Sequence, residues 1–217
     1  MKLLRRHLGL AILLAIAAPA TIAFCWHDVI STIADDSVSY ITMARWISSF
    51  GGDALVAPWA GYYSHFPPVF PVLLVLTGGA WNLLAAHMLV ACCALLAIVM
   101  VYLYGSLRLG SLRVGLGLAI VFVLLPSAWI SILSILSEPL YLALSLAAIV
   151  YHARHENDEE ARSVALGLLF AAVLLTRVAG VALLAAYAAH LAVHAATRRK
   201  WPSMRALAPL AIALTFQ

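Results

Sequence analysis

Residues Trp81 to Tyr104 read WNLLAAHMLVACCALLAIVMVYLY, an apolar run without a single Asp, Glu, Lys or Arg. A bilayer core of roughly 30 Å needs about 20 apolar residues in a helix, because backbone groups left unpaired in lipid cost several kcal/mol each. This stretch therefore makes a full membrane span, and the rest of the chain follows from it. Of the 217 residues, 65% are apolar and only 10% charged, with a mean hydropathy of +1.02. Ordinary soluble domains carry about 25% charged residues. The chain is read as all-α, a polytopic bundle of transmembrane helices forming one domain over 1–217.

Outward from that run, Leu8 to Trp26 meets the length of a span. Lys2, Arg5 and Arg6 before it, and Ala17-Ala18-Pro19-Ala20 within it, also fit a secretory signal. The apolar run continues through Thr21-Ile22-Ala23-Phe24, beyond a usual signal core of about 7–15 residues, which favours an uncleaved anchor. Pro67 to Ala80 is too short for a comfortable span and reads as a re-entrant or very short helix. Val114 to about Ile132 makes another span, with Ser137-Glu138-Pro139 at its far side. Leu140 to His152 returns to the charged loop Arg154–Arg162. Val164 to His194 then forms a helical pair turning near Arg177-Val178-Ala179-Gly180 and ends at Arg198-Arg199-Lys200. The final apolar stretch, Ala211 to Gln217, has no terminating polar segment, so the chain is expected to be incomplete at its C-terminus.

The net charge of +4 is distributed as short basic runs between apolar stretches. Lys2/Arg5/Arg6, Arg108/Arg113, Arg154/Arg162 and Arg198/Arg199/Lys200 all fall on one side if Pro67–Ala80 only dips into the bilayer. By the positive-inside rule that side is the cytoplasm. Residues 27–67 then form an exported loop, on the same side as Glu138 and Arg177. No basic face is interleaved with aromatics, which argues against nucleic acid as a partner. Cys25, Cys92 and Cys93 sit within or beside apolar segments without metal-ligand spacing, and predict neither disulfides nor zinc.

Chemistry-bearing residues gather in two places in the exported loop. From Ile33 to Ile47, apolar residues recur at helical spacing behind Asp35 and Asp36, predicting an interfacial helix led by two carboxylates. As structure alone, Asp35 caps this helix and Asp36 complements its dipole, together worth about 1 kcal/mol. As function, they supply a base or a cation-binding pair. Gly61 to Pro71 (GYYSHFPPVFP) holds paired tyrosines and three prolines. Its aromatics suit a membrane interface, and His65 is a donor within reach of a phosphate. Further along, Glu138 and Arg177 are ionisable groups at or inside apolar segments, where charge is expensive. Glu138 alternatively just starts a helix ahead of Pro139, and Arg177 alternatively snorkels. His190 and His194 share a helix face, but no glutamate stands between them in the zinc-protease pattern. No phosphate-binding glycine loop or serine elbow is present.

Taken in order, Asp35-Asp36 with Tyr40, then Pro67-Pro68-Val69-Phe70-Pro71, then Ser137-Glu138-Pro139-Leu140, then Leu174-Leu175-Thr176-Arg177-Val178-Ala179-Gly180, the chain resembles the GT-C superfamily of membrane glycosyltransferases. The nearest-looking branch holds the protein mannosyltransferase, aminoarabinose transferase and lipopolysaccharide-core transferase relatives. The resemblance covers essentially the whole chain and rests on the order of short motifs. It implies an inverting transferase of the bacterial cell envelope, moving a sugar from a polyprenyl-phosphate donor to a lipid, glycan or protein acceptor. Asp35 matches the first acid of the family's Asp-Glu pattern, whereas Asp36 replaces the usual glutamate, which leaves open which carboxylate is catalytic. Tyr40, Tyr63, His65, Glu138 and Arg177 are the substrate-binding side chains implied. The resemblance fixes no cofactor, and a divalent cation on Asp35 and Asp36 is left open. Relatives are usually much longer, so this chain is expected to be an N-terminal part. The competing expectation is a non-enzymatic transporter or assembly subunit for lipid-linked intermediates, or an inactive transferase fragment, in which the two aspartates are structural.

Overall fold

The computed structural model describes residues 7–30, 36–59, 66–155, 159–198 and 203–215. They are helical, with no strand among the described residues. The chain divides into two compact units, Met1–Ala143 and Leu144–Gln217.

In the first unit, α1 (Leu8–Cys25), α2 (Asp36–Ser48), α3 (Val69–Leu76) and α4 (Leu83–Arg108) follow one another. At about 1.5 Å per residue, α1 and α4 reach the thickness of a bilayer core, whereas the eight residues of α3 cover only roughly 12 Å. Among the described residues, helices α1 and α4 and the Val178–Thr197 stretch of the second unit are long enough and apolar enough to cross a membrane. Two contacts fix α1 antiparallel to α4. At one end, His7 Nδ1 lies 2.8 Å from the Tyr102 hydroxyl. At the other, Cys25 packs with Ala91 and Ala94. The chain between α1 and α4 therefore starts and ends at the same end of the pair.

The apolar run from 114 to 132, expected as one span, is broken. It forms α5 (Leu112–Leu124) and α6 (Pro126–Leu133), bent by 59°. Pro126 has no N–H, and its ring excludes the helical conformation from the residue before it. Leu125 is accordingly extended, at ψ 123°. The break frees carbonyls that lipid cannot satisfy. The Trp129 indole N–H donates to Val123 O at 2.7 Å, and Leu125 N–H to Phe122 O at 3.2 Å. Pro19 by contrast sits inside a continuous α1.

Helices α4 and α5 form a tight hairpin whose crossing is set by glycine. A Cβ on Gly115 would meet the Ser106 hydroxyl and lie 2.6 Å from Tyr102 O, and one on Gly105 would lie 3.0 Å from Gly115 Cα. Close backbone approach through small residues is how helices associate where lipid removes the hydrophobic drive.

Helix α7 (Glu138–Arg154) leads into the second unit, which adds α8 (Glu159–Leu174), a 3-10 turn Val178–Gly180, α9 (Val181–Arg198) and α10 (Met204–Leu214). The two helices and the turn expected over 164–194 are present, but they are not a tight pair: α8 packs chiefly against α10, where Gly167 meets Ile212. The core of this unit gathers Leu166, Phe170 and Leu174 of α8 with Leu184, Tyr187 and Leu191 of α9. Tyr187 donates its hydroxyl to Ala206 O of α10 at 3.0 Å.

Gly115 and Gly117 make a matched test of the hairpin. Gly115→Ala collides with backbone and is expected to lower stability in detergent by about 1–3 kcal/mol, the usual range for overpacking. A Cβ on Gly117 meets nothing within 4 Å, so Gly117→Ala should stabilise by up to about 1 kcal/mol through helix propensity alone. Thermal unfolding followed by circular dichroism checks both signs.

Candidate functional site

Helix α2 starts at Asp36, which lies in its first turn and is half-buried. Negative charge there is favoured by the unpaired N–H groups of the helix start. Tyr40, one turn on and on the same face, is only 3% exposed. Its hydroxyl lies 2.7 Å from Ser137 Oγ, 97 positions away in the chain. Its ring stands edge-on to Phe66 and Phe70, with centroids 5.3 and 5.0 Å away. Three of the stretches singled out in the sequence thus meet at one phenol: the acid-led helix, the Phe66–Pro71 aromatics, and Ser137-Glu138-Pro139.

The other end of α2 is fastened just as firmly. Arg45 donates from Nε to Ala80 O at 3.1 Å, and its guanidinium carbon lies 5.1 Å from the centroid of the Trp81 ring. Trp81 in turn donates from its indole to Ser48 Oγ at 3.1 Å. The receiving turn uses Gly78 at φ +77°, and the Asn82 side chain caps α4 by accepting from Ala85 N–H at 3.2 Å. With both ends tied, α2 presents Asp36 and Tyr40 from a fixed platform.

Glu138 opens α7 and lines a cavity of about 260 Å³. Its other walls include Ala94 of α4, Phe122 of α5, Ser127 and Ser131 of α6, and Tyr141 of α7. The bend between α5 and α6 makes part of this wall, so the Pro126 break opens the space that Glu138 faces. The lining is mostly apolar with a few convergent polar groups, the composition of a small-molecule site. Three positions before Tyr40, Ser37 is fully buried, and its hydroxyl has no hydrogen-bond partner among the described residues. A buried hydroxyl without a partner costs about 1–3 kcal/mol.

Asp35, Tyr63 and His65 lie outside the described residues. Arg177 belongs to the second unit, half-buried and extended at φ −152°, where its carbonyl accepts from Gly180 N–H at 2.9 Å. The structure therefore joins Asp36, Tyr40 and the Glu138 segment in one unit, and describes Arg177 separately. Compared with known proteins, the chain matches no family model, no characterised protein and no solved structure. The site has to be read from its own chemistry.

Two polar features were not anticipated as structure. Ser127 and Ser131 lie one turn apart on α6, and the signal was Pro126 inside an apolar run. His87, fully buried in α4, sets its Nε2 3.0 Å from Val29 O and packs 3.9 Å, centroid to centroid, from His27. The His190–His194 pair does share a face, with ring centroids 6.2 Å apart, and His152 lies 5.3 Å from His190. Among the described residues no group of three or more His, Cys, Asp or Glu side chains is placed to hold a metal ion.

The Tyr40–Ser137 bond yields a cycle. Tyr40→Phe and Ser137→Ala each remove one partner of a buried hydrogen bond and are each expected to cost about 1–3 kcal/mol. The double variant removes both partners and should cost less than the sum of the singles. Additive losses in thermal unfolding would show that the two hydroxyls act independently.

Proposed function

We propose that this chain is a polytopic membrane protein of the glycosyltransferase type, transferring a sugar from a polyprenyl-phosphate donor to an acceptor hydroxyl on the non-cytoplasmic side. The observation that carries the proposal is the Tyr40–Ser137 hydrogen bond, which ties the acid-led helix α2 to Glu138 and its apolar cavity. An amphiphilic substrate needs that combination: an apolar wall for a chain, and carboxylates and hydroxyls where the polar head reacts.

In this reading, Asp36 or its neighbour Asp35 takes the proton of the acceptor hydroxyl as that oxygen attacks the anomeric carbon. The bond from that carbon to the phosphate oxygen breaks, and the polyprenyl phosphate leaves. Glu138 and Tyr40 orient the sugar or the acceptor. The basic runs and the shortness of α3 support this sidedness.

One observation favours a second reading, a transporter or assembly subunit for lipid-linked intermediates. The bent α5–α6 pair beside a carboxylate is the kind of discontinuous helix that transporters use around their binding sites. Transfer and transport are separated by whether a new glycosidic bond forms.

Membranes containing the chain, supplied with polyprenyl-phosphate sugars labelled in the sugar, are expected to pass label to an acceptor. Asp36→Asn and Glu138→Gln should each lower the rate by about 100-fold or more if they are general-base or orienting groups. Label that crosses the membrane still attached to its donor would favour the transporter. Transfer undiminished in both variants would remove these carboxylates from the reaction.

A further inference from the structure

Helix α2 ends in an unusual way. Gly51 N–H donates to Trp46 O at 3.0 Å and Phe50 N–H to Ile47 O at 3.2 Å, the paired bonds of a Schellman termination. That motif places one residue in the left-handed region, normally glycine. Here it is Phe50, at φ +50°. A bulky aromatic in this conformation is a genuine outlier, and strain of this kind concentrates at functional positions. The ring is not held by protein packing, for Phe50 is 100% exposed.

The segment that follows continues the inversion. Leu55 is 79% and Trp59 59% exposed, and Ala54, Ala57 and Pro58 also face outward. The charged side chain among residues 50–59, Asp53, is half-exposed and accepts from Leu55 N–H at 2.9 Å in a local turn. The position of this apolar tip is fixed by Trp81, whose indole donates to Ser48 two residues before Phe50. Trp81 itself precedes by two residues the start of α4, the longest apolar helix among the described residues. The tip is thus held level with the end of a membrane-length helix, where tryptophan and phenylalanine are at home.

We infer that residues 50–59 form a wedge inserted into the membrane interface, with Phe50, Leu55 and Trp59 among the lipid acyl chains, and that this wedge holds α2 and its Asp36 at the bilayer surface. The occupant of the patch is lipid. A protein partner at a non-obligate interface would ordinarily be met by a polar rim around the apolar centre, and the outward residues of this segment provide none. The inference rests on reading α4 as a crossing helix, and the test keeps the two claims apart.

Phe50→Cys and Leu55→Cys are made separately in the full chain carrying Cys25→Ala, Cys92→Ala and Cys93→Ala. Each is labelled with an environment-sensitive dye and reconstituted into phosphatidylcholine/phosphatidylglycerol vesicles, with or without nitroxide lipid. Blue-shifted emission quenched by the nitroxide is expected at both positions, with the chain resistant to carbonate extraction. Emission like that of the dye on free cysteine, unquenched in a carbonate-resistant chain, overturns the wedge and leaves the crossing helix standing. Extraction by carbonate overturns both.

In the chain with its cysteines intact, Phe50→Gly relieves the left-handed backbone and is expected to raise Tm in detergent by roughly 2–4 °C. Trp59→Phe should reduce the tryptophan emission that brominated lipid quenches. A fall in Tm for Phe50→Gly, or quenching unchanged by Trp59→Phe, counts against the wedge.

Discussion

A backbone in lipid has no water to turn to, so every N–H and C=O must be paired within the protein. That constraint makes this chain helical and governs each place where a helix stops. The most demanding stop is Leu125-Pro126, in the middle of an apolar run. There the Trp129 indole meets the Val123 carbonyl from beyond the break, at 2.7 Å. The turn before α4 shows the same logic, with Arg45 donating to Ala80 O and the Asn82 side chain receiving Ala85 N–H. Side chains able to reach a backbone group are therefore placed where the helices end, and those ends build the candidate site.

The long elements were legible in the sequence because length and apolarity are local. The runs at 8–26 and 81–104 became α1 and α4, the helix behind Asp36 formed, and the turn at 177–180 fell where Arg177 and Gly180 mark it. The bend of α5 and α6 was not legible as a bend. Averaged hydropathy is blind to proline, and proline by itself does not decide, since Pro19 leaves α1 continuous while Pro126 ends a helix. A tryptophan three positions after Pro126 supplies the freed carbonyl with a donor. That role depends on how the chain folds back, which no periodicity records.

The site was legible in part, and for a related reason. Asp36 and Glu138 stood out because charge is scarce in so apolar a chain, and Tyr40 because it follows Asp36 by one helical turn. Their relation was hidden, since Tyr40 and Ser137 are separated by 97 positions and by the four helices α3 to α6. Ser37 gave no warning at all: serine near a helix start is ordinary, and only complete burial without a partner makes it informative. The cavity beside Glu138 depends on the 59° bend and so inherits its invisibility.

The placement of buried polar groups argues for where this protein works. In the first unit, Ser37 and Ser39 of α2 and Ser134 and Ser137 ahead of α7 are all buried. They come from two distant segments that the Tyr40–Ser137 bond joins, and Thr21 and His87 are the other buried polar side chains described in that unit. An interior meant only to hold helices together would replace these serines with alanine at little loss, because small apolar residues pack as closely and leave no donor to satisfy. Their retention marks the Tyr40–Ser137 contact as a place where the unit keeps polar groups inside, next in the chain to Glu138 and the cavity it lines.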